Sequence, residues 1–248
     1  KVQEGFTQTP IDIMVPTHNN LELTIACLKN LYTYTQLPFH LIITDDSTDL
    51  SPVYFSGLLK EYDNITYLHS EVPYKCGNQF FNIALKHCKY DFMATVMNSV
   101  TVQPDWEIVA VEILKSNPKV ATVGLKCLFP WGTIESAGIR LADVKDAGGI
   151  NIEGLFPVDI GANLPAHLLC NSYERDAVQW ALAIHRKEAL IGNLEEDIYH
   201  GFVGWDDIDN CYVLRKKGWK VFYCGCGSGY HQPRATRGVL ESDKERLK

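Results

Sequence analysis

Two rhythms of apolar residues alternate through the first half of the chain. Short, nearly continuous apolar runs at residues 11–15, 41–44, 65–68, 92–97 and 120–125 predict buried strands. Between them the spacing changes to threes and fours. Leu21, Ile25, Leu28 and Tyr32 share one helical face, with Asn19 or Asn20 ahead of them as N-cap. Further helices are expected around residues 78–88 and 105–115. Strands alternating with helices predict an α/β fold with a mostly parallel sheet covered by helices on both faces. Ligands of such sheets bind beyond the carboxyl ends of the strands. That rule gathers residues 16–19, 45–49 and 97–101 around one crevice.

The second half follows a different pattern. Residues 126–177 are rich in Gly and Pro with weak periodicity, which predicts long loops and short strands of the kind that form lids and binding surfaces. A buried strand is expected over 178–185, a helix over 208–216 and a strand over 219–223. A Gly-rich and then basic tail follows Gly225. No internal repeat or low-complexity segment interrupts the chain, and 248 residues suit a single domain with a substantial core.

Composition narrows the class of partner. Apolar residues make up 46% and charged residues 21%, as in ordinary globular proteins. A formal net charge of −7 argues against nucleic acid as a partner and against a polybasic membrane patch. No apolar run reaches the ~18 residues that a membrane span requires, so no transmembrane segment is predicted. The chain starts at Lys1 without a Met or an apolar leader, as a piece of a longer protein would. Of the eight cysteines, Cys27, Cys88, Cys127 and Cys211 sit among apolar residues and read as buried thiols. Cys224 and Cys226 have no second ligand pair at zinc spacing. A reduced, cytoplasmic protein is the expectation.

Three segments carry chemical content. Asp45 and Asp46 end a strand, where carboxylates accept hydrogen bonds from a nucleotide's base or ribose; a plain turn cap would use the same residues. Asp206, Asp207 and Asp209 follow Gly204 and Trp205 and open a helix. Acidic residues there complement the helix dipole, and a carboxylate held by backbone N–H groups also makes a general base. The neighbouring Trp205 offers an apolar wall or a surface for a sugar face. The third segment, residues 230–238, places His231 with Arg234 and Arg237 in a loop suited to an anion, with a solvated basic tail as its bland counterpart. No Gly-rich dinucleotide fingerprint or phosphate-binding Gly-Lys-Ser/Thr loop is present.

In this order, the segments resemble the family 2 type of GT-A glycosyltransferases, particularly the bacterial rhamnosyltransferase-like branch, over residues 11–238. "IDIMVPTHN" is similar to the opening strand, with Pro16, Thr17, His18 and Asn19 where the nucleotide is approached. The turn of Asp45 and Asp46 resembles the segment that binds base and ribose, and Gly77 and Asn82 lie where the family places a Gly and an Asn beside the nucleotide. "FPWGTIESAG", residues 129–138, resembles the segment after the central strand. "GWDDIDNCYVLRKKGWKVFY" resembles the Glu-Asp-x-Asp helix, with Asp206 on the Glu and Asp207 on the base. His231, Thr236 and Arg237 match the closing His and Ser/Thr-Arg pair. The resemblance implies a single Rossmann-like GT-A domain. Residues 10–125 would form its nucleotide-binding half and 126–240 its acceptor-side half, with Trp205 on the acceptor side.

The chain departs from the family at one position. The Asp-x-Asp expected after the fourth strand reads Met97-Asn98-Ser99, so the carboxylate that would hold Mn²⁺ or Mg²⁺ against the diphosphate is missing. Asn98, Ser99 and His231 alone would make a weak cation site. Arg234, Arg237, Lys75 and His231 are the cations available to a leaving group instead. The resemblance implies an inverting hexosyltransferase-like enzyme, and the departure at Met97-Asn98-Ser99 points to weak or no metal dependence. It would take a nucleoside-diphosphate sugar and a glycan or other hydroxyl acceptor, in polysaccharide or glycoconjugate synthesis. Two other readings compete with it: a nucleotide-sugar- or glycan-binding pseudoenzyme, favoured by the missing carboxylate, and a nucleotidyltransferase, which lacks its Gly-rich phosphate loop here.

Overall fold

The computed structural model describes residues 8–143, 155–198, 205–233 and 235. Twelve strands and six helices are found among them. β1 (Ile11–Thr17), β2 (Phe39–Asp45), β3 (Ile65–His69) and β4 (Phe92–Val96) are the expected apolar runs, joined by α1 (Leu21–Tyr34), α2 (Ser51–Leu58) and α3 (Gly77–Leu85). After the short β5 (Val100–Val102) come α4 (Ile108–Ser116) and β6 (Val120–Leu128). The expected loop-rich region holds β7 (Ile134–Ser136), β8 (Ile139–Asp143), β9 (Leu155–Asp159) and the two-residue β10 (Tyr173–Glu174). β11 (Leu182–Arg186), α5 (Lys187–Leu190), α6 (Asp206–Lys216) and β12 (Lys220–His231) complete the order.

The main sheet runs β10-β12-β6-β11-β4-β1-β2-β3. β1 pairs in parallel with both β2 and β4, and β2 with β3; β6 and β12 are parallel to each other. Between these two parallel blocks lies β11, antiparallel to both β4 and β6. β8 and β9 form a separate antiparallel hairpin. The sheet is therefore mixed and mainly parallel, as the alternation predicts.

Strand residues alternate between two cores because successive side chains point to opposite faces. Ile11, Ile13 and Val15 pack with Leu41 and Ile43 against Cys27, Leu28 and Leu31 of α1, while Ala110, Val111 and Leu114 of α4 cover the same face. Met14, Ile42 and Met93 face the other way, toward Phe80, Phe81 and Ala84 of α3 and Cys211 and Leu214 of α6. Both faces are buried, which explains why the strands read as apolar runs.

Three features differ from the sequence expectation. The buried face of α1 is Thr24, Cys27, Leu28 and Leu31, leaving Ile25 partly covered and Tyr32 at the surface, where its hydroxyl donates to Asn64. α2 was not anticipated: its apolar and small residues lack a periodic polar face. And β12 does not stop at residue 223. It runs on through the Gly-rich stretch, with a register shift between Cys224 and Ser228. A Cβ at Gly225 or Gly227 would overlap the backbone of Leu169 or Trp106, so these glycines permit close approach rather than form a tail.

Polar residues inside the sheet are fully paired at two places. Asp12, at the amino end of β1, accepts from His40 Nδ1 at 2.7 Å and from the backbone N–H groups of Lys89 and Tyr90. His185 sits between the hydroxyls of Thr95 and Thr122, and burial pushes its pKa down to about 3, so it stays neutral. Eight cysteines are free thiols, Cys224 buried and Cys226, two residues further along β12, exposed. No helix among the described residues is long and apolar enough to cross a membrane.

Candidate active site

A cavity of about 640 Å³ opens at the carboxyl end of the sheet. The end of β4 contributes Asn98 and Ser99, the first turn of α6 contributes Asp206 and Asp207 with Trp205 before them, and the end of β12 contributes His231. Residues near 99, 207 and 231, far apart in sequence, thus meet around one space. Each arrives for a local reason. The five buried residues of β4 are followed by Met97 and then by the polar Asn98 and Ser99. α6 starts where three aspartates crowd its N-terminal turn, a position the helix dipole favours. His231 is carried in by pairing of β12 with β5, His231 opposite Val100, and by a hydrogen bond from Gln232 N–H to the Ser99 carbonyl.

Asp207 is held from two sides. Its Oδ2 accepts the Trp180 N–H at 3.2 Å and its Oδ1 accepts the Ile208 N–H at 2.8 Å. Burial raises its pKa to about 7, with Asp206 adding to the rise; the Trp180 and Ile208 N–H groups oppose it and Asp159 adds a smaller increment. A carboxyl tuned to that range exchanges a proton readily near neutrality. Asp206 lies against the N-terminus of α3, so close to Gly77 that a Cβ there would overlap its carboxylate. Gly77 is therefore a packing requirement of the acidic pair.

Four cavity side chains that carry polar atoms escaped the sequence reading. Glu135 on β7 hydrogen-bonds His231 Nδ1 at 2.8 Å. Asp159, at the end of β9, accepts from the Gln179 amide at 3.2 Å, and burial, with the nearby Glu135, raises its pKa. Gln179 and Trp180 precede β11 and form part of the wall. Only the "IESAG" stretch hinted at Glu135; nothing marked Asp159 or Gln179, because hairpins that fold over a site carry no periodic signal.

The loops after β1 and β2 form a neighbouring collar outside the cavity lining. Asn19 N–H donates to Ser47 Oγ, and Asn19 Oδ1 accepts from the N–H groups of Thr48 and Asp49. Asp45, fully buried, accepts from Ser47 N–H, from Tyr67 Oη at 2.5 Å and from His69 Nδ1 at 3.2 Å. Asp46 pairs with His18 at 2.8 Å and accepts the Tyr74 N–H. These carboxylates are occupied within the chain. Pro16 is opposite Thr44, and the Thr17 hydroxyl bonds that of Thr24, which accepts from the Asn98 amide. The collar is thereby tied to the cavity through Thr17, Thr24 and Asn98. Asn82 points elsewhere: its amide donates to the Leu194 carbonyl and to Glu196. Lys75 lies 4.0 Å from Asp197 at the surface. Arg234, Thr236 and Arg237 fall outside the described residues.

The donor set around Asn98 fits a divalent cation poorly. The Asn98 side chain is almost wholly buried, with its amide committed to Thr24, and Ser99 adds a neutral oxygen. Hard cations take anionic oxygens, and among the described residues no three His, Cys, Asp or Glu side chains converge on one point.

The chain is 27% identical over 248 residues to the uncharacterized protein y4gI of Sinorhizobium fredii, covering 96% of this chain and 26% of that protein. It is 32% identical over 104 residues to the hyaluronan synthase of Pasteurella multocida, covering 39% of this chain and 10% of the synthase. The chain thus spans about a quarter and a tenth of the lengths of these two relatives. Among solved structures it resembles GalNAc-T7 with UDP, GalNAc and Mn²⁺, with a TM-score of 0.70 at 12% identity over 96% of this chain and 47% of that one. It also resembles the mannosyltransferase PcManGT of Pyrobaculum calidifontis in complex with GDP-Man and Mn²⁺, with a TM-score of 0.61 at 17% identity over 92% of this chain and 58% of that one. At these identities the two structures speak for the fold. Residues 12–135, half of the chain, match the profile described as Glycosyl transferase family 2, and the chain belongs to that family.

Proposed function

We propose that this chain transfers a sugar from a nucleoside-diphosphate sugar to an acceptor hydroxyl with inversion, in polysaccharide or glycoconjugate synthesis. One observation carries the reading: Asp207, with a pKa near 7, is fixed by two backbone N–H groups at a cavity that Ser99 and His231 share. Asp207 takes the proton of the acceptor hydroxyl as its oxygen attacks the anomeric carbon. The bond from that carbon to the diphosphate breaks on the opposite face, through a transition state of oxocarbenium character. Asp206 keeps the proton affinity of Asp207 high, and Trp205 flanks the acceptor entrance.

The leaving diphosphate gathers negative charge, and charge-assisted donors stabilise it. His231 supplies one from the described residues, and Arg234 and Arg237 are the further candidates in the sequence. Asp45, Asp46, His18 and Asn19 serve as the framework of the nucleotide side, in keeping with their internal hydrogen bonds. The neutral oxygens of Asn98 and Ser99 support weak or no dependence on a divalent cation. Eight free thiols are in keeping with a reducing, cytoplasmic setting. A thermal-shift screen with UDP-, GDP- and dTDP-sugars, each with Mn²⁺ and with EDTA, tests the reading. We expect one nucleotide series to raise Tm, with the rise retained in EDTA. Stabilisation by none of the three series would refute a sugar-nucleotide donor. Stabilisation without hydrolysis or transfer would favour the binding pseudoenzyme, the reading suggested by the absent Asp-x-Asp.

A further inference from the structure

Glu135 lies in the "IESAG" stretch without a role of its own so far, and it is a carboxylate with only 10% of its side chain exposed. Burying a carboxylate costs free energy unless it is paired, so its partner is informative. The chain takes trouble to bring the two together. β6 ends at Leu128, residues 129–133 reverse it in a turn with Gly132 at φ 90°, and β7 returns along β6. β12 runs parallel to β6 on its other edge, with Tyr230 opposite Leu128. Glu135 Oε2 and His231 Nδ1 then meet at 2.8 Å.

The imidazole is thereby fixed on two sides, through its backbone by Val100 and the Ser99 carbonyl, and through its ring by Glu135. A carboxylate only accepts, so Nδ1 carries the proton in this pair. Nε2 is the nitrogen left to the cavity, and among the described residues it has no hydrogen-bond partner. Which imidazole nitrogen meets a ligand is decided by the bond the other one makes.

Resting on the transfer reading above, we propose that Glu135 is a positioning residue: it holds the His231 ring by Nδ1–H with Nε2 turned to the cavity beside Ser99, where Nε2 takes a proton from solvent as the donor diphosphate arrives and donates it in a hydrogen bond to a phosphate oxygen. Glu135 itself touches neither substrate nor reacting atom. Gln at this position keeps an acceptor for Nδ1–H, whereas Ala leaves the ring free to turn and to change tautomer.

The test uses two readouts on the whole chain, with variants first checked for native circular dichroism. Side-chain ¹⁵N NMR of His231 reads the tautomer without any ligand: Nδ1 protonated in the unmodified protein and in Glu135→Gln, and a shift to the Nε2–H form in Glu135→Ala. Calorimetry with UDP, GDP and dTDP in EDTA reads the consequence. For whichever nucleotide binds, Glu135→Ala should weaken affinity about 10-fold, as loss of a supporting carboxylate does elsewhere, and Glu135→Gln should restore most of it. In a His231→Ala background Glu135→Ala should add nothing. An unchanged tautomer in Glu135→Ala, or a loss that persists without His231, overturns the positioning role. Failure of all three nucleotides to bind, with the tautomer shift observed, sinks the donor reading and leaves the orientation of His231 by Glu135 standing.

Discussion

Asp207 joins two demands that oppose each other. Its ionisation is resisted by burial and by Asp206, while the N–H groups of Trp180 and Ile208 support it, and the balance falls at about 7. As a base it must be ionised, so kcat/KM is expected to rise with pH through a midpoint near 7 and then level off. A pH–rate profile without that limb would remove Asp207 from the role. Asp207→Asn keeps the shape and removes the base; turnover should fall about 10²–10⁴-fold with nucleotide affinity nearly unchanged by calorimetry. Stability moves the other way. A carboxyl whose folded pKa lies above its unfolded value contributes its stability below pH ~4 and loses it as pH rises through 7. Asp207→Asn should therefore gain Tm relative to the unmodified protein at pH 8 and not at pH 4. The sequence singled out this residue because three acids opening a helix are conspicuous. That its carboxyl would be poised near neutrality was not legible, since the poise comes first from burial, which only the packing of distant segments around α6 creates.

Among the elements, the contact between the N-termini of α3 and α6 controls the acidic pair. Gly77 begins α3, and its missing side chain is the space that Asp206 occupies. Gly77→Ala pushes against the end of a flexible side chain rather than backbone, so Tm should change little. Displacing Asp206 should nevertheless lower turnover about 10- to 10²-fold, the usual penalty for misplacing groups around a reaction. It should also move the rising limb of the pH profile to lower pH, because a neighbouring negative charge is withdrawn. Normal turnover with an unmoved limb would show that Asp206 is indifferent to α3. The apolar runs of β1 to β4 and β6 were readable because both faces of the sheet are covered. α2 and the strands between residues 134 and 174 were not, since short elements without a clear period are specified by what they pack against.

At the scale of the molecule, the two halves of the chain share one sheet. β11 comes from the second half and lies between β4 and β6 of the first; β12 completes the far side of β6. A fragment ending at residue 135 would expose the edges of β4 and β6 where β11 belongs. Calorimetry should give the full chain one cooperative transition, and the fragment should lack cooperative unfolding by circular dichroism. A fragment that melts cooperatively would divide the chain into two units. The family profile ends at the same residue 135, so the matched half contains neither Asp207 nor His231.

By itself the sequence determined the α/β alternation, the parallel strands and the chemistry gathered at residues 98–99, 205–207 and 231, because burial on both faces and helix-terminal charge are local properties. Tertiary structure alone decided that Asp45 and Asp46 are spent on Ser47, Tyr67, His69, His18 and Tyr74, and that Glu135 and Asp159 enter the cavity instead. Hydrogen bonds across many residues compete for the same carboxylates, and only the folded chain settles which partner each one finds.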